Sequence, residues 1–159
     1  MKTFKKTFMP LVLILGFLLI NKIAFAHCEV PCGIYDDSVR ITLIKEHITT
    51  VEKSMKLIIE LSAESSPNYN QLVRWVMNKE EHASRIQEIV SQYFLHQRIK
   101  FTDPADKEKY QKYLSQLELL HKLQVYSMKS KQSTDLANIE QLRKTVAAFE
   151  ESYFKGHKH

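Results

Sequence analysis

From Asp37 onward, apolar residues recur at spacings of three and four, and three short polar stretches interrupt them. Such spacing puts the apolar side chains on one face of an α-helix. With only 3 Gly and 4 Pro in 159 residues, a β-rich fold with many tight turns is disfavoured. The pattern predicts an all-α, antiparallel up-and-down four-helix bundle over residues 36–156, followed by a tail at 157–159. The four stripes are Ile41, Ile44, Ile48, Val51, Met55 and Ile58; Leu72, Trp75, Val76, Ala83, Ile86, Val90 and Tyr93; Tyr110, Tyr113, Leu117, Leu120 and Met128; and Leu136, Ile139, Leu142, Val146, Phe149 and Tyr153.

Capping residues and prolines predict where these helices begin. A polar side chain before a stripe can accept from the free N–H groups of the first turn, and proline suits the first helical position. The predicted starts are Asp36, Asp37 or Ser38 for the first helix, Pro67 for the second, Thr102 or Asp103 with Pro104 for the third, and Ser133 or Thr134 for the fourth.

Residues 1–26 have the pattern of a secretory signal peptide. Three lysines lie near its start, an apolar run follows from Leu11 to Ile20, and Ala24 and Ala26 are small residues suited to a cleavage site. The apolar run is short for a membrane span of roughly 20 residues. We therefore expect cleavage after Ala26, export to the periplasm or the cell exterior, and no membrane attachment of the mature chain.

The charge of the mature chain excludes one class of partner. Four of the 23 Lys and Arg residues lie in the leader, which leaves 19 against 18 Asp and Glu and a formal charge of +1. Nucleic-acid binding needs a surplus of cations on one surface. We therefore expect no nucleic-acid partner.

Both cysteines of the chain lie in "HCEVPCGIY", residues 27–35, directly after the predicted cleavage site. In an exported protein, a disulfide between Cys28 and Cys32 is one interpretation. The other is a metal site, because cleavage would free the α-amine of His27. That amine, the Cys28 amide nitrogen and the two thiolates form an in-plane set, and the His27 imidazole can approach along the axis. A square-planar set favours Ni²⁺ or Cu²⁺ over zinc, and nickel is preferred because thiolates readily reduce Cu²⁺.

A di-iron site of the ferritin type is disfavoured, because it needs two Glu-x-x-His pairs and further glutamates. Glu118 and His121 form the one such pair in the sequence. We expect His47, His96 and His121 to be surface or core histidines rather than ligands.

The stretch "HCEVPCGIYDD" resembles the nickel hook of nickel-containing superoxide dismutases, whose motif is His-Cys-x-x-Pro-Cys-Gly-x-Tyr at the mature N-terminus. The stretches "VRWVMNKEEHA" and "SQYF" resemble the second helix of that family, so the resemblance spans most of the mature chain. The matching hook positions are His27, Cys28, Pro31, Cys32, Gly33 and Tyr35.

The resemblance implies an enzyme that disproportionates superoxide to oxygen and hydrogen peroxide at one nickel per subunit, cycling between Ni²⁺ and Ni³⁺, in a homohexamer of bundles. It implies that His27 gives its amine and an axial imidazole, and that Cys28 gives a thiolate and an amide nitrogen. Cys32 would give the second thiolate. Tyr35 would stand beside the open face of the metal and limit access to it.

The chain departs from the better-known members at one point. In those members a first-helix Glu and a second-helix Arg help to orient the axial imidazole, whereas Thr42 and His82 stand near those positions here. Glu46 or His82 is the candidate substitute. The alternative function is an exported metal-binding or chaperone module without turnover, using the same ligands. A helical interaction protein with a structural disulfide is a third hypothesis.

Overall fold

The computed structural model describes residues 36–155, which form four α-helices. These are α1 (Asp37–Ser62), α2 (Tyr69–Glu88), α3 (Lys107–Gln132) and α4 (Ala137–Phe154). A π-helical segment, Ile89–Arg98, continues α2 without a break. The predicted leader and hook, and the tail from residue 156, lie outside the described residues, so what was predicted for them stays a prediction.

Neighbouring helices run antiparallel, which follows from the side-chain pairs between them. Along α1, Lys45 pairs with Glu150 at 2.6 Å, and seven residues later Glu52 pairs with Arg143 at 2.5 Å. Contacts between consecutive helices, together with contacts between α1 and α4, close the four helices into a ring. The predicted up-and-down four-helix bundle is confirmed. Between residues 36 and 155 there is no strand, and no helix is long and apolar enough to cross a bilayer.

The core comes from the predicted stripes, with a few exceptions. Val76 and Met128 were predicted to face the core, but their side chains are 39% and 42% exposed. Leu123 and Phe94 are fully buried and were missed; Phe94 packs edge to face on Phe149 at 4.9 Å between ring centroids. Burying one such side chain contributes about 1.5–3 kcal/mol. The buried hydrophobic residues in contact with one another are Ile41, Ile44, Ile48, Val51, Met55, Ala83, Ile86, Val90, Tyr93, Phe94, Leu120, Leu123, Ile139, Leu142, Val146, Phe149 and Tyr153.

Three of the four predicted helix starts are wrong by a few residues. Asp36 caps α1 as predicted, but α2 begins after Asn68, whose side chain accepts from the Gln71 N–H at 3.2 Å. The starts of α3 and α4 also lie later than predicted, at Lys107 and Ala137. The reason is competition between neighbouring caps, because Asn and Asp cap as well as Ser. The carboxylates that accept from first-turn N–H groups are Asp106 (from Lys109, 3.3 Å) and Asp135 (from Ala137, 2.9 Å).

A buried lysine joins α2 to the end of α3. The Lys79 side chain is 5% exposed, and its ammonium donates to the carbonyls of Ser130 (2.9 Å), Lys131 and Ser133 (3.3 Å). The last carbonyls of a helix lack intrahelical partners and carry partial negative charge. Lys79 supplies both the donors and the cation, and so fixes α2 against the C-terminus of α3.

The π-helical segment changes which residues share a side of the helix. Its last bond runs from the Ile99 N–H to the Phe94 carbonyl, five residues back, at 2.9 Å. In a π-helix, residues five apart are one hydrogen-bonded turn apart. Tyr93 and Arg98 therefore lie together, and the Arg98 guanidinium donates to the Tyr93 hydroxyl oxygen at 2.8 Å.

Candidate metal centre

The predicted ligands His27, Cys28 and Cys32, and the predicted gate Tyr35, lie outside the described residues. Their donor chemistry still fits nickel, because thiolates, an amine and an imidazole are ligands that this ion accepts. Both cysteines of the chain are in this segment. Across residues 36–155, no group of three or more His, Cys, Asp and Glu side chains could hold a metal ion.

The structure describes the end of the bundle to which the predicted hook is joined. Asp36, the residue after Tyr35, is the N-cap of α1. Its Oδ1 accepts from the Ser38 N–H and the Ser38 hydroxyl, both at 2.7 Å, and from the Val39 N–H at 3.4 Å. This cap satisfies free N–H groups of the first turn. It fixes the backbone where the hook segment meets the helix.

Asp37 is held from two other elements. The Arg98 Nε donates to Asp37 Oδ1 at 2.8 Å, and the Tyr93 hydroxyl donates to the same oxygen. The Tyr153 hydroxyl of α4 donates to Asp37 Oδ2 at 2.7 Å. We call Asp37, Tyr93, Arg98 and Tyr153 the Asp37 cluster. Hydrogen bonds to a charged carboxylate contribute more than neutral ones, so the cluster ties the first turn of α1 to the π-helical segment and to α4.

The ionisation of Asp37 follows from these contacts. Burial is the largest single influence and raises the pKa of Asp37, but hydrogen bonds from Tyr93 and Tyr153 and the charge of Arg98 together outweigh it. The pKa of Asp37 is therefore lowered from 3.8, and the carboxylate is ionised at neutral pH. Burial and the hydrogen bond to Asp37 raise the pKa of Tyr153, so its hydroxyl remains a donor there.

Two guanidinium groups flank the Tyr93 ring. Arg98 lies 4.7 Å and Arg40 5.3 Å from its centroid. The aromatic face attracts such cations. Arg98 also pairs with Asp37 at 2.8 Å, so cations and a carboxylate lie together at the start of α1.

The Asp37 cluster was not recognised in the sequence. Tyr93 and Tyr153 were predicted as core residues, and both are indeed buried, but their hydroxyls also hold Asp37. Arg98 carried no signal of its own. The available hint was that two apolar stripes each end in a tyrosine. A buried tyrosine hydroxyl usually needs a hydrogen-bond partner.

At the positions where the chain departs from the better-known family members, the side chains make local contacts. The exposed Thr42 donates its hydroxyl to the Ser38 carbonyl at 3.0 Å. His82 contacts His47, with Nδ1 atoms 3.0 Å apart, and Glu46 is exposed. His96 and His121 are exposed, as expected of surface histidines.

A helical bundle preceded in sequence by two cysteines and a histidine has soft sulfur and imidazole donors for a transition metal, which defines it as a candidate metalloprotein. Comparison with models of known protein families matches this chain to the nickel-containing superoxide dismutase model over residues 22–158. The chain therefore belongs to the nickel-containing superoxide dismutase family, and it is an oxidoreductase that acts on superoxide with nickel as cofactor. Neither a curated protein nor a solved structure matches it.

Proposed function

We propose that the mature chain disproportionates superoxide to oxygen and hydrogen peroxide at one nickel ion per subunit, held by His27, Cys28 and Cys32. Nickel bound by this set supplies the one-electron chemistry, alternating between Ni²⁺ and Ni³⁺. The observation that carries the proposal is the complete hook motif directly after a signal-peptidase pattern and directly before Asp36.

Each residue of the proposed site has a separate role. The Cys28 and Cys32 thiolates and the Cys28 amide nitrogen give anionic donors, which favour a higher oxidation state. The His27 amine and imidazole would supply the remaining nitrogen donors. The amine exists only after cleavage behind Ala26, so the proposal includes export to the periplasm or the cell exterior.

Each hydrogen peroxide formed requires two protons. In the proposal the Tyr35 hydroxyl donates a hydrogen bond to incoming superoxide, passes a proton to the reduced product and recovers it from water. Tyr35 also limits which molecules reach the open face.

The Asp37 cluster supports this assignment because it fixes the start of α1, directly after the hook in sequence. Asp37 is two positions after Tyr35, a distance of at most about 7 Å along the chain. The hydrogen bonds of Asp37 hold the first turn of α1, which follows Tyr35 in sequence, against the π-helical segment and α4. We propose that six such subunits form a homohexamer.

The proposal is tested with Cys28→Ser and Cys32→Ser in the mature chain. We expect each variant to lose dismutation and to lose nickel or hold it in a high-spin, oxygen-rich geometry, as seen by nickel analysis and absorption spectroscopy. The matched control is Ser127→Ala, a buried serine of α3 that lies in the bundle core. Dismutation near the unsubstituted rate in either cysteine variant would contradict the proposal. A chain that holds nickel in the thiolate site without turnover would instead be a metal-binding or chaperone module.

A further inference from the structure

Two histidines from neighbouring helices meet on the side of the bundle. The Nδ1 atoms of His47 on α1 and His82 on α2 lie 3.0 Å apart. The rings are edge to face, with centroids 5.0 Å apart and planes at 69°. Both residues are half-buried, so the pair is held in place and still reaches solvent. We call these two residues the histidine pair.

Two ring nitrogens at this separation are joined either by a hydrogen bond, in which one Nδ1–H donates to the other Nδ1, or by a metal ion bound to both. A neutral imidazole has one N–H and one lone pair, so two Nδ1 atoms in contact share either a proton or a metal ion. Metal–nitrogen bonds to histidine are about 2.0–2.1 Å, and two nitrogens in neighbouring coordination positions are then about 3 Å apart. The spacing of the histidine pair therefore fits a hydrogen bond in the empty site and two ligands on one ion in the occupied site.

Two glutamates and one arginine lie near the histidine pair. Burial is the main cause that lowers the pKa of His47, followed by the charges of His82 and Arg85. Glu46 and Glu81, each next in sequence to one of the histidines, act in the opposite direction. The neutral form of imidazole is the one that binds a metal ion. The two glutamates attract a divalent ion, and Arg85 weakens that attraction.

We propose that the histidine pair is a second metal site, separate from the hook, which takes a divalent first-row transition ion through the two Nδ1 atoms. Imidazole suits nickel, copper and zinc. A third protein ligand is absent from residues 36–155, so water completes the coordination and binding is reversible. His47 is ten residues from Asp37, about 15 Å along α1. The proposal goes beyond the proposed function and does not depend on it.

The test requires a chain in which no other nickel ligand competes. We therefore use a background with His27→Gln, Cys28→Ser and Cys32→Ser in the hook, and His157→Gln and His159→Gln in the tail. Equilibrium dialysis at neutral pH should find one Ni²⁺ per chain. We expect His47→Gln or His82→Gln to weaken this binding roughly tenfold or more, since losing a ligand costs at least as much as losing a group that orients one.

The matched controls are His96→Gln and His121→Gln, which remove exposed histidines from the same bundle. Both should bind Ni²⁺ like the background. No binding by the background, or an undiminished affinity in either His47→Gln or His82→Gln, would overturn the proposal.

A second measurement needs no substitution in the pair and covers the case of a variant that does not fold. The background is loaded with Cu²⁺, and electron spin-echo spectroscopy counts the imidazoles bound to it. Two equatorial imidazoles support the proposal, whereas one or none overturns it.

Discussion

Asp37 accepts hydrogen bonds on both carboxylate oxygens from three side chains that lie far from it in sequence. Tyr93 and Arg98 come from the π-helical segment and Tyr153 from α4. A single residue two positions beyond the predicted hook thus joins three elements of the bundle. At the residue scale, a substitution should therefore test the charge of Asp37.

Asp37→Asn keeps the shape of this side chain and removes its charge. We expect the free energy of unfolding at pH 7 to fall by about 2 kcal/mol, the order of a hydrogen bond to a charged group. Because the pKa of Asp37 is lowered in the folded state, its contribution is present above the unfolded pKa near 3.8 and is lost as the pH falls through the lower, folded value. The difference between Asp37→Asn and the unsubstituted chain should therefore shrink as the pH approaches 3.

Urea unfolding at pH 7 and at pH 3 measures this difference. Glu60→Gln, an exposed carboxylate on the same helix, is the control and should change stability little at either pH. An equal loss for Asp37→Asn at both pH values would show that its charge has no part in the cluster.

The sequence could not predict the Asp37 cluster, although it predicted the burial of two members. The apolar stripes place Tyr93 and Tyr153 correctly, because burial follows from helical period. Which hydroxyl meets which carboxylate depends on the relative rotation of α1, α4 and the π-helical segment. That rotation is a property of the assembled bundle, and no local pattern encodes it.

At the scale of elements, the existence of the four helices was predictable and their exact limits were not. Pro67 was expected at the first helical position, yet Asn68 caps α2 and leaves the proline outside. The π-helical segment had no signal either, because Ile86, Val90 and Tyr93 have the same three-and-four spacing in the sequence that an ordinary α-helix would show. The limit of α2 depends on competition between neighbouring capping residues. The π-helical segment depends on competition between alternative registers of backbone hydrogen bonding.

Among the contacts between helices, we expect the loss of the Lys79 hydrogen bonds to lower the free energy of unfolding most. We expect Lys79→Met to lower the free energy of unfolding by about 1–3 kcal/mol, because it leaves carbonyls of the α3 C-terminus without a donor. Lysine and methionine have similar helix propensities and lengths, so α2 itself should form equally well.

Thermal or urea unfolding of Lys79→Met measures the effect, with Lys144→Met as the control. Lys144 is exposed on α4, and its substitution should change stability by less than about 0.5 kcal/mol. Equal effects of the two substitutions would mean that the cap on α3 contributes nothing to stability.

At the scale of the whole molecule, the bundle and the predicted metal site depend on different parts of the chain. Among residues 36–155, the buried core extends from Ile41 to Tyr153. The predicted ligands all precede Asp36. Folding and metal binding should therefore be separable by a change at the N-terminus alone.

A chain made with Met retained before His27 provides this separation. The His27 nitrogen is then an amide, which has no free lone pair and releases its proton reluctantly. We expect this chain to fold as a helical protein by circular dichroism, to bind nickel weakly and to lack dismutation. Proteolytic removal of Met, followed by Ni²⁺, should restore activity.

The same proteolysis on Cys28→Ser is the control and should restore nothing. Full activity with Met still attached would show that the site does not use the His27 amine, and the proposed ligand set would then be wrong.

The hydrogen bond between Tyr153 and Asp37 brings the last turn of α4 beside the first turn of α1. This has a practical consequence for purification. A polyhistidine tag fused after residue 159 would start seven residues beyond Tyr153, and its imidazoles would compete with the hook for nickel. A tag fused before His27 would block the amine. The connection between Ser62 and Tyr69 lies at the opposite end of the bundle, and an affinity tag inserted there would leave both the amine and the nickel supply undisturbed.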